Sequence, residues 1–358
     1  MKKLYIIGVL VILINVQKLK AQLPLNNPNF STITFDDFNS WGTSSSNWCT
    51  EYGCYSSTNS GLEYNDPTVG NNILFQSSGS TTYVTLKAEH LTTPVVYNGK
   101  SYNYKGAVLF SAIGTFKYGY FEIKARLPQF VNGSWPAFWL QSSDCSSNYY
   151  NEIDIMENGG YTSGMGHLVA FNMWREDPSV PCDTTLQSPF SGTGLTNSGV
   201  PESADLTDWH RYGVFWEPNK VTYFFDDAII AQVTDASYIP QHPMYTIINH
   251  AIDNWVNPGG FFPNPSPLPA YFDIDYYKLS QLNTDCSVNY AVCSFNNSTF
   301  DYRVKKSISI AGGSCSSTIN LTDNASFFAT DYILLDVGTT INANSSGAFT
   351  AYTTNCPQ

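Results

Sequence analysis

The sequence predicts an all-β protein whose main body is a sandwich of two antiparallel sheets. Three observations predict this: short segments alternate apolar and polar residues, turn-forming residues separate them, and no long stretch repeats apolar residues every 3.6 positions. The alternating segments are TTYVTLKAEH, GYFEIKARL, VTYFFDDAIIAQV and AYFDIDYYKL. Because a sandwich can occupy about 250 residues as one domain, we assign it to residues 22–282.

The first 21 residues predict a secretory signal peptide. Lys2 and Lys3 precede an apolar run that ends at Val16, and the small residue Ala21 follows. A membrane span is the weaker alternative, because spanning needs roughly 20 apolar residues. No second hydrophobic run follows. We therefore expect a secreted or cell-surface protein without a membrane span.

Charge excludes one class of partner. Four lysines leave with the signal peptide, so the mature chain keeps 13 basic and 29 acidic residues, a net charge of −16. Nucleic-acid binding needs a basic surface, so we expect no nucleic-acid partner. Aromatic residues are abundant (15%) and charged residues scarce (13%). This composition suits carbohydrate binding, but it equally suits a generic secreted β-protein.

Composition shifts near residue 283. From Cys286 onward the chain has no Trp and no Glu, and Asn, Ser and Thr are frequent. The pieces SISIAGGS, ASFFATDYILLDVGTTINA and GAFTAYTTN predict short strands joined by tight turns. We assign residues 283–358 to a small β module for binding, attachment or sorting; a cap that stabilises the first domain is the alternative.

Eight cysteines in a secreted chain indicate disulfides. Four lie in each part of the chain: Cys49, Cys54, Cys145 and Cys182, then Cys286, Cys293, Cys315 and Cys356. This even split permits each part to pair internally. Cys49–Cys54 and Cys145–Cys182 are reasonable pairs, although four cysteines allow three pairings. No Cys-x-x-Cys spacing supports a metal site.

The stretch NEIDIMENGG places three acids, Glu152, Asp154 and Glu157, in an otherwise apolar hexamer. Alternate residues of a strand point to the same face, so Glu152 and Asp154 share a face while Glu157 would point to the opposite one. One β-bulge between Asp154 and Glu157 gathers all three on one face and leaves Ile153 and Ile155 facing the core. Because the hexamer contains no Lys or Arg, a functional group is favoured over an acidic strand edge in solvent.

Such a bulge has a chemical consequence. Glu152 and Glu157 would lie about four strand steps apart, and their side chains can lean together. Carboxyl groups roughly 5–5.5 Å apart are typical of a retaining glycosidase, whereas an inverting enzyme needs a wider gap for water.

With its surroundings, the motif resembles glycoside hydrolase family 16, secreted β-jelly-roll enzymes that cut β-glucans and marine galactans with retention. EIDIME matches the signature of the bulged branch, and YGYFEIKARLP, WPAFWL and FDIDYYKL match family segments in the same order. The resemblance covers roughly residues 30–282 and implies a jelly roll with a concave substrate cleft. Lichenase-type and xyloglucan-active members lack the extra residue, which disfavours their substrates.

The resemblance implies catalytic roles for the three acids. Glu152 would be the nucleophile and Glu157 the general acid/base, while Asp154 would orient or charge-balance the nucleophile. The negative charges of Glu152 and Asp154 would raise the pKa of Glu157, so that it holds a proton to donate. Once Glu152 is esterified, one charge is lost and Glu157 can accept a proton from water.

Nine further residues are candidates for substrate contact. They are Trp135, Trp139, His167, Asn172, Trp174, Arg175, Asn249, His250 and Trp255. Trp135 and Trp139 should share a strand face and act as sugar platforms, the alternative being that one lies in the core. A buried, hydrogen-bonded histidine is the alternative for His167.

The resemblance also implies a structural calcium on the convex face. Asp275 in DIDYYKL matches the aspartate that would bind it, and a solvent-facing aspartate is the alternative. Calcium would take no part in the chemistry, and no catalytic cofactor is implied. We expect a monomer acting on a polysaccharide.

The leading hypothesis is a retaining endo-glycosidase that cleaves β-1,3-glucan of the laminarin type. INHAIDNW departs from the glycine-rich version usual in laminarinases, so an endo-galactanase on agarose, porphyran or carrageenan is the alternative. Sulfated chains need a basic residue in the cleft, and Arg175 is the candidate. The non-enzyme alternatives are a carbohydrate-binding lectin, although all three acids are present, and an adhesin driven by the tail.

Overall fold

The structure is a computed structural model, and it leaves several segments undescribed. The described residues are 30–58, 62–129, 133–144, 149–158, 169–175, 200–201, 203–217, 220–235, 237–252, 268–293, 304–311, 317–321, 325–336, 339–343, 349–353 and 356. The predicted signal peptide, residues 1–21, lies outside them. No helix among the described residues has the length and apolar character needed to cross a membrane.

The elements confirm an all-β chain. In chain order they are β1 (Phe30–Asp36), α1 (Trp41–Ser44), β2 (Trp48–Cys49), β3 (Glu63–Asn65), β4 (Ile73–Ser78), β5 (Thr81–Tyr97), β6 (Lys100–Ser111), β7 (Gly119–Arg126), β8 (Ser134–Asp144), β9 (Tyr149–Glu157), β10 (Ala170–Arg175), β11 (His210–Glu217), β12 (Lys220–Phe225), β13 (Ala228–Val233), β14 (Tyr245–Ile252), β15 (Ala270–Leu282), β16 (Thr284–Val292), β17 (Val304–Ile310), β18 (Ser317–Leu321), β19 (Ala325–Leu335), β20 (Thr339–Ala343) and β21 (Phe349–Thr353).

Strands β1 to β15 form two sheets joined through the long strands β5 and β6. The front sheet runs β10-β9-β8-β14-β6, with β2 at β6, and its neighbouring strands are antiparallel. The back sheet runs β5-β15-β7-β11-β12-β13, with β1 at β15 and β4 at β5. The predicted sandwich of two antiparallel sheets is confirmed.

The core lies between the inner faces of the two sheets. Phe138 and Leu140 on β8, Ile153 on β9, and Phe121 and Ile123 on β7 belong to one apolar cluster, and all five are fully buried. Alternate residues of each strand supply these apolar side chains. Removing one such side chain would cost about 2–5 kcal/mol. This core fixes the position of every strand that carries a site residue.

The strands after Leu282 form separate, parallel sheets. One runs β16-β17-β19-β21 and the other pairs β18 with β20. Three residues separate β18 from β19 and β19 from β20, and the backbone N–H of Thr339 donates to the carbonyl oxygen of Asp336 at 3.1 Å. The connections here are as short as expected, and the parallel pairs β17·β19, β18·β20 and β19·β21 join strands that are not consecutive in the chain. Ile308, Ile310 and Phe327 belong to a small separate core.

Two disulfides lie among the described residues. Cys49–Cys54 matches the expected pair, and Cys286–Cys356 closes the first strand of the tail onto the chain end. Cys293 is also disulfide-bonded. The expected pair Cys145–Cys182 lies outside the described residues.

Candidate active site

A β-bulge interrupts β9 between Asp154 and Glu157. Against β8, Asp154 pairs with Trp139 and Met156 pairs with Phe138, so Ile155 is the extra residue. The pairing of β9 with β10 shifts at the same place. Two independent neighbours therefore locate the irregularity that the spacing of the acids predicts.

The bulge brings the three acids to the outer face of the front sheet. Paired residues of adjacent strands point to the same side. Glu152 pairs with Gln141, Asp154 with Trp139, and Glu157 with Ala137. These three partners are alternate residues of β8 and share one face. Ile153 and Ile155 are 0% and 2% exposed and belong to the core, as predicted.

Asp154 is the most strongly perturbed of the three carboxyl groups. It is only 3% exposed. Burial raises the pKa of Asp154 well above its usual value, and the charges of Glu152 and Glu157 raise it further. A side-chain hydrogen bond joins Asp154 to Glu152 and acts in the same direction. The raised pKa favours the protonated form of Asp154, and that form can donate to the Glu152 carboxylate.

Two indole groups donate to the acid cluster, defined as Glu152, Asp154 and Glu157. Trp135 donates from Nε1 to Oε1 of Glu157 at 3.0 Å. Trp174 pairs with Glu152 across β10 and β9, and its side chain hydrogen-bonds Asp154, which partly opposes the rise in the Asp154 pKa. Each indole thus serves a different carboxyl group.

Strand β14 continues the same face on the other side of β8. Asn249 pairs with Ala137, and its Oδ1 accepts a 2.7 Å hydrogen bond from Nε1 of Trp139. Trp139 also packs against the buried side chains of Phe110 and Ile247. The face therefore combines amide and indole groups with an apolar floor, which suits a sugar ring that has polar edges and C–H surfaces.

Several residues of this face escaped the sequence analysis. They are Tyr52, Val108, Phe110, Gln141, Tyr245 and Ile247. Strand alternation could have found Tyr245 and Ile247 from Asn249, and Gln141 from Trp139. The apolar run that holds Val108 and Phe110 carries no such signal, and Tyr52 joins the face through the loop closed by Cys49–Cys54.

His250 does not belong to this face. It pairs with Pro136, one position out of phase with Asn249, and is 0% exposed. Its Nδ1 lies 2.7 Å from the carbonyl oxygen of Leu86 and its Nε2 lies 2.7 Å from Oγ of Ser134. Because a carbonyl only accepts, Nδ1 carries the proton and the serine donates. Burial lowers the pKa of His250 to about 4. The expectation that His250 lines the cleft is therefore corrected.

Of the remaining candidates for substrate contact, only Asn172 has a described side chain. Asn172 pairs with Asp154 and shares its face, and its Oδ1 accepts from the backbone N–H of Met173 at 2.8 Å. Arg175 pairs with Asn151 at the end of β10, but its side chain lies outside the described part. His167 and Trp255 lie wholly outside the described residues.

Asp275 does not fit a calcium site. Its Oδ2 lies 2.6 Å from Nζ of Lys124 on the neighbouring strand. An ammonium group at that distance neutralises the carboxylate and repels a divalent cation. In the part of the chain that the structure describes, no three His, Cys, Asp or Glu side chains form a group able to hold a metal ion.

The sequence matches the family described as Glycosyl hydrolases family 16 over residues 63–276. That match covers more than half of the chain, and it includes the acid cluster, both indole donors and the whole of β14.

Two relatives match the sequence at modest identity. Endo-1,3-1,4-beta-glycanase EglC of Rhizobium meliloti is 28% identical over 205 residues, which cover 56% of this chain and 39% of that protein. Beta-agarase AgaA of Microbulbifer thermotolerans is 26% identical over 208 residues, covering 52% of this chain and 45% of that protein. The chain thus spans less than half the length of each of these two relatives.

Solved structures show the same fold. The crystal structure of LamAcat from Zobellia galactanivorans aligns with a TM-score of 0.52 at 22% identity, covering 70% of this chain and 98% of that one. At this identity the likeness concerns the fold alone. It supports the jelly-roll form of the predicted sandwich.

Proposed function

The chain belongs to the glycosyl hydrolases of family 16, and from this premise we propose that it is a secreted, retaining endo-glycosidase acting on a β-linked polysaccharide. The observation that carries the proposal is the bulge in β9, which puts Glu152 and Glu157 on one face beside Asp154, whose pKa is raised by burial. Double displacement requires an ionised nucleophile and a protonated general acid on the same face, and we assign these roles to Glu152 and Glu157.

In the first step Glu157 gives its proton to the glycosidic oxygen while the sugar–oxygen bond breaks. Glu152 forms an ester with the sugar from the opposite side. The hydrogen bond from Asp154 orients the Glu152 carboxylate before attack. In the second step Glu157 takes a proton from water, whose oxygen displaces Glu152 from the sugar. The configuration at the sugar carbon is inverted twice and so retained.

A β-1,3-linked glucan is the proposed substrate. The relative EglC is named for action on 1,3-1,4-β-glycans. The partly exposed indole of Trp139, which packs on the buried side chains of Val108, Phe110 and Ile247, offers an apolar floor for a neutral sugar. Asn249 lies beside this floor and has amide groups that can bind sugar hydroxyls.

An endo-galactanase acting on agarose is the second candidate. The observation that favours it is the relative named β-agarase AgaA. A neutral galactan would use the same apolar floor, so the two substrates differ in which hydroxyls the polar side chains contact.

Secretion is proposed from the chain's chemistry. The predicted signal peptide would direct export, and the pairs Cys49–Cys54 and Cys286–Cys356 suit an oxidising compartment. Residues 283–358 are proposed as the binding, attachment or sorting module. We propose that the enzyme acts as a monomer without a catalytic cofactor.

The test is a panel of laminarin, mixed-linkage glucan, agarose, porphyran and carrageenan, incubated with the mature protein and with Glu152→Ser. We expect reducing ends from laminarin with the wild type and none with the variant. Release from agarose or porphyran but not laminarin would replace the glucan by a galactan. A folded wild-type protein that releases nothing from any of the five would refute the proposal.

A further inference from the structure

Trp135 points its one polar atom at the side chain of Glu157. The indole Nε1 lies 3.0 Å from Oε1 of the carboxyl group, and Trp135 and Glu157 share the outer face of the front sheet. An indole N–H is a donor only. The carboxyl oxygen it reaches must therefore act as an acceptor in every protonation state of Glu157.

We propose that Trp135 is a positioning residue that sets where Glu157 holds its catalytic proton. This inference rests on the proposed function, in which Glu157 is the general acid. In a protonated carboxyl group one oxygen is the carbonyl acceptor and the other carries hydrogen. With Oε1 committed to the indole, the proton resides on Oε2, and that oxygen delivers it to the glycosidic oxygen.

The same hydrogen bond assists the transfer itself. As the O–H bond of Oε2 breaks, its electron pair stays on the carboxyl group and Oε1 gains negative charge. A hydrogen bond to an ionised acceptor is roughly twice as strong as a neutral one. The bond from Trp135 therefore strengthens on the way to the transition state, which is the condition for accelerating the step.

The residues that pair with Glu157 on the two neighbouring strands bring no side-chain donor. The neighbouring strands β8 and β10 place Ala137 and Ala170 opposite it. The titratable groups beside Glu157 on its own strand are Glu152 and Asp154, and Tyr245 of β14 lies on the same face at the level of Gln141. Glu152 and Asp154 share a hydrogen bond with each other.

Trp174 supplies a matched control, because its indole serves Asp154. Replacing it removes one indole donor from the same face without touching the contact to Glu157. Trp135→Phe and Trp174→Phe thus delete the same chemical group from two different acids.

Kinetics with two leaving groups separate positioning from sugar binding. When a polysaccharide is cleaved, the leaving group is a sugar alkoxide, which needs a proton from the general acid. In a 2,4-dinitrophenyl glycoside of the same oligosaccharide the leaving group is a stable phenolate, which departs without that proton. For Trp135→Phe we expect kcat/KM to fall about 30-fold on the polysaccharide and less than about 3-fold on the aryl glycoside. Trp174→Phe should lower both by similar factors. Equal losses on both substrates for Trp135→Phe, or a change in KM alone, would overturn the inference.

A measurement on the intact protein covers the case in which Trp135→Phe fails to fold. The ¹H–¹⁵N resonance of the Trp135 indole should move downfield as Glu157 ionises, and this movement should vanish in Glu157→Gln. If the chemical shift of the Trp135 indole does not change when Glu157 ionises, the inference is overturned whatever the activity. A wild type that cleaves neither substrate while showing the coupled resonance would instead refute the proposed function.

Discussion

The outer face of each sheet carries a group of three acids, and the two groups have different partners. On the front sheet they are Glu152, Asp154 and Glu157, and on the back sheet they are Glu122, Asp273 and Asp275. Both sets lie beside a bulge, since the register of β15 against β7 shifts between Ile274 and Tyr276. The sequence motifs EID and DID look alike, so the difference must come from neighbouring strands.

On the back sheet each acid has a dedicated donor from an adjacent side chain. Arg126 lies 2.7 Å from Asp273, and Lys124 lies 2.6 Å from Asp275. Glu122 accepts hydrogen bonds from the hydroxyl groups of Tyr120 and Tyr276 at 2.5 and 2.7 Å. These contacts satisfy the carboxyl groups and hold neighbouring strands together.

On the front sheet the donors to the acid cluster include the indoles of Trp135 and Trp174, and Asp154 shares a hydrogen bond with Glu152. Indole groups orient a carboxyl group without neutralising it. The charge and the mobile proton therefore remain for chemistry. On the back sheet Asp273 and Asp275 balance their charge against basic groups and stabilise the fold. The front-sheet acids instead lie close to one another beside neutral indole donors, an arrangement suited to catalysis.

The largest expected effect separates the two faces by activity. Glu152→Ser should lower turnover by about a thousandfold or more, because the nucleophile is lost, while substrate binding persists. Glu122→Gln is the matched control on the back sheet and should leave turnover within about twofold. Reducing-end assays and equilibrium binding measure both. Near-wild-type turnover of Glu152→Ser would break the comparison.

Asp154 tests the role of the shared proton. The raised pKa of Asp154 favours the form that donates to Glu152, and the amide isostere keeps that donation. We expect Asp154→Asn to lose about tenfold in kcat/KM and Asp154→Ala about a hundredfold or more. Steady-state kinetics on the same substrate measure the ratio. Equal losses in the two variants would mean that the carboxylate form of Asp154, rather than its proton, is required.

Much of the acid cluster could be predicted from sequence, because strand parity is a local rule. The spacing of Glu152, Asp154 and Glu157 demanded one extra residue, and Ile153 and Ile155 indicated which face is buried. The same rule, applied to INHAIDNW, would have placed Asn249 and His250 on opposite faces of their strand. Partners such as Lys124 for Asp275 depend on which strands become neighbours, and no local pattern reveals that. The parallel pairing in the tail was missed for the same reason.

The buried, neutral His250 should make the free energy of unfolding depend on pH. Its pKa is lowered from 6.5 to about 4 by burial. Between these values the unfolded chain binds a proton that the native state does not, so the free energy of unfolding falls as pH falls. The full shift corresponds to roughly 3 kcal/mol. Denaturant unfolding across this range should show the loss in the wild type.

His250→Gln is the control for that measurement. Glutamine can keep both hydrogen bonds but does not titrate, so the difference in stability between the two proteins should change with pH in the same range. Parallel pH profiles for the two proteins would contradict a neutral, buried His250.

The smallest effect is expected on the back sheet. The pair of Asp275 and Lys124 is partly exposed, so Asp275→Asn should cost no more than about 1 kcal/mol of stability. Activity should be unchanged, and EDTA should not shift the melting temperature of the wild type. A fall of several degrees with EDTA, reversed by calcium and absent in Asp275→Asn, would restore the calcium assignment.

The most direct test of the account is to trap the covalent intermediate. The wild type is incubated with a 2-deoxy-2-fluoro glycosyl fluoride of the oligosaccharide it cleaves, digested and analysed by mass spectrometry. We predict one added glycosyl group on the peptide NEIDIMEN, located at Glu152. A label on any other residue, or a protein that turns over the polysaccharide with inversion and takes no label, would contradict it.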